Sequence, residues 1–316
     1  MTAALFNFMS EDKSSKRDKS TGLLSDVDYK FSQDGSIDWR KMISSEFLVP
    51  NRDNTTETDV TKLADKVLII LLAILLSITG LDFLSAISGA ATSYGFYSSR
   101  KGPTIIKQDI FLRSLPNEFE NFTIAQISDL HVGPTIKISY VDDVLHKIEN
   151  INPDLIAVTG DMVDGSVKHL SKELHPFKDM VARHGTFFVT GNHEYYSGAE
   201  SWLDETDRLG MTNLINEHRL ITKSGKHIAV AGITDFRAHQ IIKSHRSNPK
   251  QAIKSVDNTT TKIMLAHQPN SIYSVHDAGV DLQLSGHTHG GQFWPFTYPT
   301  KLANAYLAGH YNHDGT

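Results

Sequence analysis

The sequence predicts an α/β fold, with layers of helix around sheet, preceded by a polar tail and one hydrophobic helix. Three observations carry this. From Phe122 onward, short apolar runs alternate with stretches of helical period. Each apolar run stops at a loop carrying Asp, Asn, His or Gly. One uncharged apolar block, Val67–Leu81, stands apart from these units.

Composition sets outer bounds. The 316 residues suffice for one large domain or two small ones, and 40% hydrophobic with 21% charged residues is ordinary for a globular chain. A net charge of -5 argues against a general nucleic-acid binder. There are no cysteines but 16 histidines, so any metal site must use nitrogen and oxygen ligands.

Residues 1–66 are polar, lack an apolar period and read as largely disordered. Within them, Ile37–Ile43 reads as a short amphipathic turn. A charged segment follows Met1–Met9, so no secretory signal is expected there. Val67–Leu81 alone is shorter than the roughly 20 residues a spanning helix needs. The apolar pattern resumes after Asp82, and residues 67–91 together reach that length. A transmembrane anchor is the preferred reading, and a buried core helix is the alternative. Lys62 and Lys66 flank one end and Arg100 and Lys101 the other, which leaves the orientation open. Residues 92–117 read as a linker and an edge strand.

The region 118–316 then repeats strand, loop and helix. Phe122–Ile127 is a buried-type strand ending at Asp129 and His131. Val141, Val144, Leu145, Ile148 and Ile151 follow a helical period that ends before Pro153. Asp154–Thr159 is the second strand, followed by Asp161, a candidate bridge between two cations, and Asp164, which reads as a loop hydrogen bonder. Leu170, Leu174, Phe177 and Val181 suggest another helix. Thr186–Thr190 delivers Asn192 and His193. Asn192 can offer a carbonyl oxygen to a metal or act as a plain turn residue. His193 can hold a phosphate oxygen or give a proton to a leaving group. Tyr195 and Tyr196 either line the cleft or pack. Trp202, Leu203, Thr206 and Leu209 fit a helix closed by Gly210. His227–Gly232 is the fourth strand, and Asp235 after it has no assigned role. Phe236–Asp257 reads as a mobile loop over the site, with His239 and His245 at the solvated surface. Lys262–Ala266 leads to His267, a position where a lone histidine is more often structural than a ligand. Val280–Ser285 leads to His287 and His289, which as i and i+2 residues of an extended segment point into one cleft.

Asp129, His131, Asp161, Asn192, His267, His287 and His289 thus stand after five separate strands. Oxygen and imidazole without sulfur suit Mn, Fe or Zn better than calcium. These groups exceed one tetrahedral shell, and sharing Asp161 divides them into two sets. Two cations about 3.5–4 Å apart suit phosphate-ester hydrolysis.

The ordered motifs Ser128-Asp-Leu-His131, Gly160-Asp-x-x-Asp164, Gly191-Asn-His-Glu194 and Gly286-His-Thr-His-Gly-Gly-Gln292 resemble the calcineurin-like metallophosphoesterases, in particular their membrane-anchored bacterial branch. The resemblance covers residues 118–316. It implies a layered α/β/β/α metallophosphoesterase-type sandwich. It also implies one metal at Asp129, His131, Asp161 and His289, and a second at Asp161, Asn192, His267 and His287. His193 and Asp161 become the catalytic pair, and a hydroxide bridging the metals attacks phosphorus in line. The implied activity is phosphodiester hydrolysis at a membrane. The alternatives are a pyrophosphatase for nucleotide-linked lipids such as UDP-diacylglucosamine, and a non-catalytic binding platform. Phe293–Phe296 reads as packing beneath the ligand loop, with lipid contact as the other reading. The family usually continues with further strands past the last His-x-His, so a C-terminally incomplete domain is expected.

Overall fold

The computed structural model describes residues 2–10, 59–100, 102–292 and 296–316. The chain divides into two compact units, residues 15–94 and residues 1–14 with 95–316.

In the first of these the described element is α1 (Asp59–Arg100). Its stretch Lys66–Tyr97 is long and apolar enough to cross a membrane, with a mean hydropathy of 2.7. Leu68, Ile69, Ile70 and Leu71, four successive positions that together circle the helix, are all exposed, so the apolar surface is not a single stripe. The helix runs through residue 100, so the expected linker begins later than residue 92. The turn expected at Ile37–Ile43 lies outside the described residues, as do Phe293–Pro295.

The second unit is a four-layer α/β/β/α sandwich. One sheet has six strands in the order β2-β1-β3-β4-β5-β6. These are β1 (Thr2–Ser10), β2 (Thr104–Leu112), β3 (Phe122–Ile127), β4 (Leu155–Val158), β5 (Thr186–Phe188) and β6 (Thr212–Asn213). The run from β3 to β6 is parallel, and β1 lies antiparallel to β3. The other sheet has four strands in the order β10-β9-β8-β7. These are β7 (Glu217–Lys223), β8 (Lys226–Gly232), β9 (Thr261–Leu265) and β10 (Leu282–Leu284). A two-residue turn joins β7 to β8, with Ser224 at φ 49 and Gly225 at φ 80, as the right-handed twist of a hairpin favours.

Strict alternation builds the layers. Leu155 and Ala157 of β4 face the inter-sheet core with Ile263 and Leu265 of β9. Ile156 and Val158 face outward to α2 (Ile138–Ile151), meeting Val141, Val144 and Ile148. On the far side, Met264 and Ala266 pack with Ala252 and Val275, from the short helices Pro249–Ala252 and Ile272–His276. Each fully buried Ile, Leu or Phe side chain contributes roughly 1.5–3 kcal/mol relative to exposure.

Four expectations are corrected. Thr2–Ser10 belongs to the sheet and not to a disordered tail, because Phe8 packs in the inter-sheet core. The helix expected through Val181 is only α3 (Val167–Leu170) followed by a tight turn at His175–Asp179. Leu170, Leu174 and Phe177 do bury, but Pro176 limits the helix and Val181 stays 83% exposed. The Phe236–Asp257 segment is ordered by short helical turns, with Ala238 and Ala252 buried. Within it, His245 is no free surface residue, since its Nδ1 lies 2.9 Å from Tyr195 Oη.

Candidate metal centre

In parallel sheets the loops beyond the carboxyl ends of strands gather at one edge, where ligands bind. Here the loops after β3, β4, β5, β9 and β10 meet. Close approach of their backbones requires glycine at defined points. A Cβ on Gly286 would overlap Ser128 Oγ and Asp129 Oδ2, and one on Gly191 would overlap the Asp161 carboxylate. Asp129, His131, Asp161, His287 and His289 hold left-handed φ values of 57, 49, 52, 73 and 50. Non-glycine residues kept there cost of order 1–3 kcal/mol each, and such strain concentrates at functional sites.

Six of the seven predicted ligands, all but Asn192, form a continuous cluster. His289 Nε2 lies 3.3 Å from Asp129 Oδ1 and 3.0 Å from His131 Nε2. His131 Nε2 is 3.9 Å from Asp161 Oδ2. Asp161 Oδ2 is 3.1 Å from His267 Nε2, which is 3.2 Å from His287 Nδ1. Three groups have ligand atoms within 4.8 Å of one another: Asp129–His131–His289, His131–Asp161–His193, and Asp161–His267–His287. Asp161 is common to the last two. Imidazole nitrogens this close repel unless a proton or cation stands between them.

The supporting bonds choose which nitrogen faces the cluster. His267 Nδ1–H donates to the Thr159 carbonyl at 2.8 Å, leaving Nε2 toward Asp161. One oxygen of Asp164 receives His131 Nδ1 at 2.9 Å and His193 Nδ1 at 2.5 Å. Asp164, expected from the sequence to hydrogen-bond its loop, makes these bonds to the two rings. His193 N–H donates to Asp161 Oδ1 at 2.8 Å, and His287 N–H to the Asp129 carboxylate at 3.0 Å. Tyr195 packs in the interior, whereas Tyr196 is exposed with its ring centroid 5.5 Å from that of His193.

Glu194 has a role that its motif did not reveal. It is 1% exposed and accepts from the amides of Asp161 at 2.9 Å, Met162 at 2.8 Å and Gly191 at 2.7 Å. It therefore ties the β4 loop to the β5 loop. Only the spacing of Glu194 three residues after Gly191, at the start of α4 (Asn192–Ser197), could have hinted at this.

Electrostatics follow from burial and pairing. Burial opposes the charge on His267, but the Asp161 carboxylate outweighs it and raises the imidazole to about 10. Burial likewise opposes ionisation of Asp161, and His267 reverses it, so the carboxyl is held below its usual range. Asp129 is lowered too, since the His289 bond and the charges of His267 and His289 overcome burial. Burial and then the positive charge of His267 lower His287. Burial, and next the Asp161 charge, push Glu194 up to about 7.

The donor set fits divalent cations. Among the described residues Asn192 Oδ1 is shielded from solvent and accepts no hydrogen bond, although a buried amide oxygen needs a partner. An amide oxygen can take a cation as its partner, and the nitrogen–oxygen chemistry of the cluster matches first-row metals.

A profile described as calcineurin-like phosphoesterase matches residues 122–291. An uncharacterized metallophosphoesterase of Helicobacter pylori is 36% identical over 223 residues, 70% of this chain and 58% of that protein. An uncharacterized metallophosphoesterase of Aquifex aeolicus is 32% identical over 209 residues, 66% of this chain and 77% of that protein. A transmembrane protein with metallophosphoesterase domain from Danio rerio is 29% identical over 232 residues, 71% of this chain and 53% of that protein. The chain thus spans 58% of the Helicobacter relative's length and 53% of the Danio one's.

Proposed function

The chain belongs to the calcineurin-like phosphoesterase family, and from this premise we propose that it hydrolyses a phosphodiester at a membrane, using two divalent cations. The observation that carries the reading is the position of Asp161. Its Oδ2 lies 3.1 Å from His267 Nε2 and 3.9 Å from His131 Nε2, so one carboxylate touches both ligand groups.

Asp129, His131, Asp161 and His289 would hold one cation, and Asp161, Asn192, His267 and His287 the other. Manganese, iron and zinc all suit these ligands. When bound, the cations supply Lewis acidity toward the phosphoryl oxygens and lower the pKa of the attacking water. Asp161 fixes the spacing of the two groups. His193, its Nδ1 bonded to Asp164, presents Nε2 to a phosphoryl or leaving-group oxygen and passes it a proton. Glu194 keeps the Asp161 and Gly191 loops in register.

The Lys66–Tyr97 stretch supports a single-pass anchor, with residues 67–91 as its apolar centre. The phosphoesterase domain then comprises residues 118–316 together with the β1 and β2 strands.

Full-length protein in lipid nanodiscs with Mn²⁺ should hydrolyse bis(p-nitrophenyl) phosphate, and Asp161→Asn should abolish this. Full activity in Asp161→Asn, or a wild-type chain inert with manganese, iron and zinc alike, would overturn the reading.

A further inference from the structure

The segment that leaves β8 differs in charge from the rest of the chain. Residues 236–256 hold five Lys or Arg residues and no Asp or Glu, in a sequence whose net charge is -5. Arg237, Lys243, Arg246, Lys250 and Lys254 are all exposed. Among the described residues none of these five is ion-paired, whereas Arg183, Arg208 and Arg219 each meet a carboxylate. Uncompensated charge of one sign draws an oppositely charged surface.

The start of this segment borders the candidate centre. Ala238 is buried with Tyr195 and Ala199, and Ile242 packs against them. Tyr195 Oη also lies 2.9 Å from His245 Nδ1. These contacts seat the segment beside α4, the helix that carries His193. The apolar groups that these contacts do not use point to solvent. Tyr196 of α4 is 68% exposed, Ile241 53% and Phe236 42%. Exposed rings and aliphatic groups thus stand among unpaired cations on one rim of the centre. This rim follows β8, which β9 separates from the β10 edge.

The combination selects among anionic partners. At the surface of an anionic bilayer, apolar side chains enter the headgroup boundary while Lys and Arg meet the lipid phosphates. A polyanion in solution would engage the cations and leave Ile241 without a partner. The same chain carries a stretch long enough to cross a membrane, so a bilayer is the partner at hand.

We propose that residues 236–246, together with Tyr196, dock the unit that carries the ligand cluster on an anionic bilayer surface. The inference goes beyond phosphodiester hydrolysis, and it requires neither bound metal nor turnover. It gives the catalytic unit a lipid contact of its own, distinct from the apolar helix.

The chain has no cysteine, so one introduced cysteine can carry the environment-sensitive fluorophore NBD. Full-length Ile241→Cys is labelled, with Val181→Cys, at a position 83% exposed, as the reference. Both are placed in nanodiscs of phosphatidylcholine alone or of a two-to-one mixture with phosphatidylglycerol. Emission at position 241 should shift to the blue in the anionic discs only, and emission at 181 should stay that of a polar site in both. Salt at about 1 M, where screening acts within about 3 Å, should weaken the shift. Arg237→Gln with Lys243→Gln should lower the docked-to-free ratio by about fivefold for each cation lost. Equal emission at 241 in neutral and anionic discs, an equal shift at 181, or a shift that the double variant leaves intact overturns the proposal. An equal shift when heparin is added to neutral discs also overturns it, and would make the segment a polyanion site. The anchor reading fails separately, by a chain that stays outside the discs. The same fluorophore is then read against vesicles of the two compositions, with the same outcomes.

Discussion

Asp161 Oδ2 and His267 Nε2 stand 3.1 Å apart in the interior, and the far nitrogen of that imidazole is held by the Thr159 carbonyl at 2.8 Å. The carboxylate and the ring are thus fixed from opposite sides. Neither can turn away from the other without losing a buried bond. In the metal-free chain the pair shares a proton, and a cation would take that proton's place.

This pairing predicts a pH dependence with a definite sign. The His267 imidazole is raised to about 10 from an ordinary 6.5. Between those values the folded chain keeps a proton that the unfolded chain has released. Stability from the pair is therefore full below 6.5 and falls as pH rises toward 10. Thermal unfolding with a chelator should show the midpoint dropping across this window, and saturating Mn²⁺ should remove the drop. The slope should also vanish in His267→Gln. A chelated wild type with the same midpoint at both ends of the window would disprove the paired proton.

Glu194→Gln tests the link between the β4 and β5 loops. The carboxylate accepts three amides through two oxygens. A Gln keeps one oxygen and turns an NH₂ toward a backbone N–H, leaving buried donors unpaired. The expected cost is about 1–3 kcal/mol in stability for each amide stranded. Metal affinity should also fall by about 10–100-fold, because Asp161 loses its backbone anchor. Denaturant unfolding and metal titration read the two effects separately. Unchanged metal affinity in a folded variant would remove Glu194 from the site.

Gly286→Ala should damage one half of the centre before the other. The added methyl would meet Ser128 Oγ and the Asp129 carboxylate, not the Asp161–His267 pair. The expected outcome is loss of one of two bound cations, measured as metal content per folded chain. Retention of both would mean that the β10 loop can shift without cost to Asp129.

The layers were legible wherever both faces of a strand are buried. Leu155–Val158 and Ile263–Ala266 are unbroken apolar runs, and the structure sends their alternate residues to two different cores. Glu217–Lys223 was not legible as β7, because only Ile221 is buried and the other positions carry the polar surface of an edge strand. Thr2–Ser10 was missed for another reason. Its partners, Thr104–Leu112 and Phe122–Ile127, lie about a hundred residues away in the chain, beyond any local pattern. At the site, residue type and strand-end position pointed to the ligands. The bonds of Glu194, Asp164 and Thr159 are contacts between loops, and no one-dimensional spacing encodes them.

Asp164 supplies the most discriminating case. One oxygen receives Nδ1–H from both His131 and His193, so it sets the tautomer of a predicted metal ligand and of the predicted acid together. Its side chain is 36% exposed, so its ion pairs lie in the range of about 0–1 kcal/mol for stability. Asp164→Ala should therefore leave the unfolding midpoint nearly unchanged. The rings, however, lose the bond that keeps Nε2 available. Affinity at the Asp129–His131–His289 group should drop by about 10–100-fold, and kcat at saturating metal should fall as well, because His193 is no longer oriented. Asp164→Glu, with a longer reach, should recover part of both. If Asp164 merely braced its loop, the midpoint would fall while metal affinity and kcat of the folded fraction stayed at wild-type values. Calorimetric metal titration beside single-turnover kinetics separates these outcomes.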